Sequence, residues 1–140
     1  MQKNKYYTPE IEEFHVGFEY EQASTMPSYL HWDFIVWGDD INDEFEFLIS
    51  GIRDEHVRVK YLTKEDIEWL NWKYISTTTK ASGSKILKFS KENLRMTYEL
   101  SSMEMCIYVL LDPVAAKNIY VLPTKNKSEL VRVMKTLNIK

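Results

Sequence analysis

Three histidines, one cysteine and a run of carboxylates are the side chains here whose types could do chemistry. No pair among His15, His31 and His56 has the spacing of a helical metal site, and no H-x-E or H-E-x-x-H pattern occurs. His15 precedes Glu19 by four residues, too far along one strand face for easy shared ligation. Cys106 sits in the apolar run 105–111, where a buried, inert thiol is expected rather than a nucleophile. Ala81-Ser82-Gly83-Ser84-Lys85 offers one glycine before a strand, a turn rather than a phosphate loop. No serine lies in a G-x-S-x-G elbow. The pairs Asp39/Asp40 and Asp43/Glu44 have the chemistry to hold a divalent cation. Asp40 as an N-cap with acids in the first turn accounts for most of them without one. The expectation is a chain with no catalytic residues, metal or cofactor: not an enzyme.

Binding chemistry is better represented. Net charge is −3, yet residues 1–70 hold 16 acidic and 6 basic side chains, a balance of −10. Residues 71–140 hold 5 acidic and 12 basic ones, a balance of +7. The acidic concentration is Asp39, Asp40, Asp43, Glu44 and Glu46, which Glu10, Glu12, Glu13, Glu19 and Glu21 extend. It reads as a solvated helix face, or as a surface that docks on a basic partner protein through charge attraction. The basic concentration is Lys80, Lys85, Lys88, Lys91 and Arg95, with Lys73 before it and Tyr74, Phe89 and Tyr98 interleaved. Cations among rings on a sheet suit single-stranded nucleic acid. A pI of 5.7 argues against that, because nucleic-acid-binding domains usually exceed about 9.

These residues need elements to position them. The 140 residues suit one domain, and 44% hydrophobic with 28% charged side chains is globular composition. No secretory signal and no spanning segment is expected, since the longest clearly apolar run is the one from Met105 to Leu111. Phe14, Val16, Phe18 and Tyr20 alternate as a strand. Residues 21–31 read as a loop and 32–37 as a second strand. Ile41, Phe45, Leu48 and Ile52 have helical spacing, with Gly51 placed as the C′ residue; the same stretch alternates as a strand through Phe45, Phe47 and Ile49, and the helix is the favoured reading. Residues 57–62 form a strand. Thr63 then caps a short helix with Glu65 and Asp66 in its first turn, and Leu62 and Ile67 staple it. From Trp72 onward, strands at 72–78, 85–89, 93–100, 103–111 and 118–122 alternate with short turns, an antiparallel meander with 103–111 as its central strand. Ser128 caps a last helix with the stripe Leu130, Val133, Met134 and Leu137, and Asn138 sits at C′.

Three stretches resemble a known family. They are Tyr6-Tyr7-Thr8-Pro9-Glu10-Ile11-Glu12-Glu13-Phe14-His15-Val16-Gly17-Phe18-Glu19-Tyr20-Glu21, then Arg58-Val59-Lys60-Tyr61-Leu62 with Glu65-Asp66-Ile67-Glu68, and Asn126-Lys127-Ser128-Glu129-Leu130. Together they are similar to small uncharacterised proteins of Bacteroidetes bacteriophages and prophages. The resemblance covers about half the chain and brings no catalytic residues. It implies a phage or mobile-element context and expression in the cytoplasm of a bacterial host.

The sequence therefore predicts a single α+β domain over 1–140: an antiparallel sheet of about seven strands with two or three short helices, the last C-terminal. Its expected role is that of a phage accessory protein binding a host or phage protein, for instance by inhibiting a host defence protein through the acidic surface. A nucleic-acid-binding protein and a minor virion component are the alternatives. No membrane association is expected.

Overall fold

Alternating apolar residues and short polar turns fold the described residues of this chain into two antiparallel sheets with three α-helices, here in a computed structural model. The structure describes residues 5–26, 29–38, 45–111 and 116–140. The described chain forms two compact units, 1–61 and 62–140. The α+β class, the C-terminal meander and the last helix are as the sequence implies. Among the described residues, however, the strands number nine in two sheets of four and five, where the sequence implies about seven in one.

The first unit contains β1 (Tyr6–Tyr7), a 3-10 turn (Ile11–Glu13), β2 (Glu19–Met26), β3 (Tyr29–Val36), α1 (Phe45–Arg53) and β4 (Val57–Lys60). Its sheet order is β1-β4-β2-β3. The strand expected from Phe14 to Tyr20 starts only at Glu19. The Gly17 N–H and the Phe18 carbonyl both bond Trp37, two residues against one, and Gly17 takes φ 90°. That bulge at the hairpin base ends the ladder. Phe14 still packs the core, but from a loop, with its ring 4.6 Å from Phe18 and 5.6 Å from Trp37. Much of the loop expected over 21–31 is instead β2 and β3, paired from Glu19↔Val36 to Met26↔Tyr29. Polar residues over 21–26 obscure the apolar alternation that marks a strand.

Helix α1 runs past Gly51 to Arg53, so Gly51 is not its C′ residue. Glycine is needed there for closeness: a Cβ on Gly51 would lie 2.9 Å from Val57 Cγ2. The core comprises Phe18, Tyr20, Trp37, Leu48, Val57 and Val59.

The second unit holds α2 (Lys64–Trp69), β5 (Lys73–Thr79), β6 (Lys85–Lys91), β7 (Leu94–Glu99), β8 (Glu104–Leu110), β9 (Ala116–Pro123) and α3 (Lys127–Thr136). Thr63 caps α2 as predicted. Its Oγ1 accepts the Asp66 N–H at 3.2 Å, and Asp66 Oδ2 accepts the Thr63 N–H at 3.1 Å. The sheet runs β5-β6-β7-β8-β9, which makes β7 central and not the 103–111 strand. Apolar residues on both faces of β8 had suggested a central place. Leu110 and Leu111 at its end are in fact exposed. One face, with Leu87, Phe89, Met96, Tyr98, Met105 and Ile107, is closed by Leu130 and Met134 of α3 and by Leu62 and Ile67. The α3 cap is Asn126, whose Oδ1 accepts the Glu129 N–H at 2.8 Å. Ser128 lies inside the helix and is buried. Asn138 takes the left-handed conformation expected after the helix, φ 57°.

Candidate functional site

Strand alternation gives the first sheet a second face, away from its core. Tyr20, Ile35, Val57 and Val59 point inward, so Glu21, Phe34 and Arg58 point outward, and they sit in one cross-strand row. Arg58 Nε donates to Glu21 Oε2 at 3.2 Å and Nη2 donates to Oε1 at 3.4 Å, a two-point fork. The guanidinium carbon lies 3.8 Å from the Tyr6 ring centre and 4.0 Å from that of Trp32. One cation thus ties β1, β2, β3 and β4 together on this face. Beside it, Phe34 is 65% exposed and Val36 51% exposed. Trp32, Phe34 and Val36 occupy alternate positions of β3, so they form one apolar row along the strand.

That arrangement offers recognition chemistry. A paired cation, a paired carboxylate and exposed rings supply contact area and orientation, with no general base beside a nucleophile. The histidines stand on separate segments. His15 Nδ1 lies 3.1 Å from the Glu13 carbonyl, His31 Nε2 lies 3.0 Å from Asp33 Oδ1, and His56 precedes β4. Among the described residues no three His, Cys, Asp or Glu gather to hold a metal ion. No helix among them is long and apolar enough to cross a membrane.

Of the acidic residues singled out from sequence, Asp39, Asp40, Asp43 and Glu44 lie outside the described residues. Glu46 falls in the first turn of α1, and its side chain lies outside them too. Two of the flanking acids have local work: Glu21 in the fork with Arg58, and Glu13 in the 3-10 turn. Glu13 accepts the Tyr7 hydroxyl at 2.7 Å and the Glu10 N–H at 2.7 Å, closing the 3-10 turn.

The basic residues disperse. Lys80 Nζ donates to Glu99 Oε2 at 3.1 Å, and that bond, followed by the Ser84 hydroxyl, holds the Glu99 carboxyl below its ordinary range. Lys91 Nζ donates to the Leu70 carbonyl at 3.2 Å. On β6, Lys85 and Lys91 fall on the same side as the inward Leu87 and Phe89, at the two ends of the strand, whereas Lys88 points outward. Arg95 joins Lys88 on that outer face, although its Nη1 donates to the Glu92 and Leu94 carbonyls. The register also aligns Lys73, Ser90, Arg95, Tyr108 and Asn118 in one row across five strands, so Lys73 and Tyr108 belong to this face. Phe89 and Tyr98, expected beside the lysines, are buried on the other face.

Cys106 is not a core residue. It is half-buried on the same outer face as Arg95, with Sγ 3.5 Å from Asn118 Oδ1. Partial burial, and then the Glu104 charge, push its thiol pKa up, away from thiolate chemistry.

Sequence reasoning missed the Tyr6–Arg58–Trp32 stack. The three residues are spread over more than fifty positions, and the only signal was an arginine alternating with Val57 and Val59. Comparison with protein-family models, with curated proteins and with solved structures finds no match for this chain.

Proposed function

We propose that this chain is a phage- or prophage-encoded accessory protein of the bacterial cytoplasm, which acts by binding a protein and catalyses nothing. The observation that supports this most is the β3 row in which exposed Phe34 and Val36 continue from the half-buried Trp32, framed by the Glu21–Arg58 fork. Apolar rings beside satisfied charges are the composition of a binding core with a polar rim. The acidic segment Asp39, Asp40, Asp43, Glu44 and Glu46 follows β3 in sequence and would add charge attraction to a basic host protein, such as a defence protein.

Affinity capture of the tagged chain from infected cells tests this reading. Three baits are compared: wild type, a Phe34→Ser/Val36→Ser variant, and a variant with the five acids changed to Asn or Gln. A specific partner held by wild type and lost from the first variant supports the apolar row. Loss from the second adds the acidic segment. Partners retained equally by all three would refute both.

A second reading draws on the aligned Lys73, Arg95 and Tyr108 with Lys88 beside them, a cationic sheet face that suits a single strand. It predicts oligonucleotide retardation at about 50 mM salt that collapses as salt rises.

A further inference from the structure

The outer face of the first sheet, with Phe34 and Arg58, ends at β3, an edge strand on which no further strand pairs among the described residues. The Trp37 N–H donates to the Phe18 carbonyl at 2.8 Å. Antiparallel pairs alternate between bonded and unbonded, so Tyr20↔Ile35 and Gln22↔Asp33 are bonded pairs too. The N–H and C=O groups of Trp32, Phe34 and Val36 therefore turn outward, away from β2. This edge belongs to an eight-residue strand.

Other sheet edges carry defences that this one lacks. The β1 strand has two residues, β5 is broken by a shift between Tyr74 and Ser76, and β9 carries Lys117 and ends at Pro123. From Tyr29 to Val36 the β3 edge has no proline, lysine or bulge. An exposed strand of this kind is a template for a further strand.

We infer that this edge pairs with β3 of a second copy, antiparallel about a two-fold axis through Trp32. Charge selects that register. An axis at Asp33 sets Asp33 against itself, and like charges directly opposite are unfavourable. An axis at Phe34 sets Asp33 against Ile35 and overlaps only residues 32–36. An axis at Trp32 sets His31 of each copy opposite Asp33 of the other, and it overlaps residues 29–35. His31 and Asp33 are already 3.0 Å apart within one chain, so the dimer gathers two such pairs into one alternating cluster. The two four-stranded sheets become one of eight strands, and the two apolar rows lie side by side. The surface is self-complementary, as a two-fold contact requires.

Sedimentation of the purified full chain over a wide concentration range is the test. The expected result is a species of twice the chain mass. Asp33→Lys should weaken the dimer at least tenfold, and adding His31→Asp should restore it by swapping the charges. In a Cys106→Ser background, Trp32→Cys should form a disulfide-linked dimer, because facing residues of a bonded pair have Cα atoms about 5.5 Å apart, within disulfide range. Phe34→Cys should not. Circular dichroism checks that each variant folds, while the wild-type mass needs no variant. A wild-type chain that stays monomeric throughout would overturn the inference, as would cross-linking at 34 without 32. A monomer that still captures its partner through Phe34 would remove the edge pairing alone and leave the proposed function standing.

Discussion

Arg58 and Glu21, thirty-seven residues apart in sequence, face each other as a bonded pair on adjacent strands, their side chains joined at 3.2 and 3.4 Å. About three-quarters of each side chain is shielded from solvent, and the guanidinium lies between two rings. Shielding makes such a pair stronger than an exposed one, and two-point geometry makes it directional. Arg58→Ala should cost about 1–3 kcal/mol in urea unfolding, from the lost fork together with the lost ring contacts. Arg58→Lys should recover little, since an ammonium has no planar fork. A double-mutant cycle with Glu21→Ala that shows no coupling would contradict this account.

The α2 cap makes a simpler prediction. Thr63 and Asp66 each accept the other's N–H. Thr63→Ala should lower stability by about 1 kcal/mol. Adding Asp66→Ala should cost less than the sum of the single changes, because the bonds form one box. Unchanged melting temperatures would count against the cap.

Gly51→Ala separates two opposing effects by sign. In an open helix interior the change stabilises by about 1 kcal/mol. Here the added methyl would meet Val57 Cγ2 at 2.9 Å, so the expected result is destabilisation of about 1–3 kcal/mol. Val57→Ala in the same chain should relieve the clash, though it opens a void of its own. Denaturation of the four variants of this cycle gives the answer.

Glu99 provides a pH test. Bonds from Lys80 and then Ser84 and Ser101 hold its folded-state pKa below the ordinary carboxylate value. A lowered folded pKa means the folded state favours the charged form. That stability is present above the unfolded pKa and is lost as pH falls through the folded one. Carbon-detected NMR titration should therefore place the Glu99 midpoint below that of a model glutamate. Lys80→Gln should move it upward. An unchanged midpoint in that variant would show that Lys80 is not the main cause.

Legibility differed sharply between the two units. In residues 62–140 the turns are short and their strands adjacent, so Leu87, Phe89, Met96 and Tyr98 announced an inward face by local alternation alone. In residues 1–61 the pairing partners are distant, with β1 beside β4 and β4 beside β2. There, alternation from Phe14 ran through a bulge that no local rule reveals, and polar residues on an open hairpin resembled a loop. The acidic site rests on composition alone, since four of its five residues lie outside those described. The basic site was half legible: Lys88 and Arg95 share a face, while Lys80, Lys85 and Lys91 were grouped by closeness in sequence, which strands ignore.

By itself, then, the sequence determined the α+β class, the meander, the Thr63 cap and the apolar stripe of the last helix. Those depend on contacts between near neighbours and on periodicity, which the chain carries in order. Tertiary structure alone decided that Arg58 would lie between Tyr6 and Trp32, that Gly51 would be a point of close approach, and that Phe34 would face outward beside an open edge. Each depends on which strands pair and in what register. Strand pairing joins distant segments, and one residue of slippage turns every side chain to the other face.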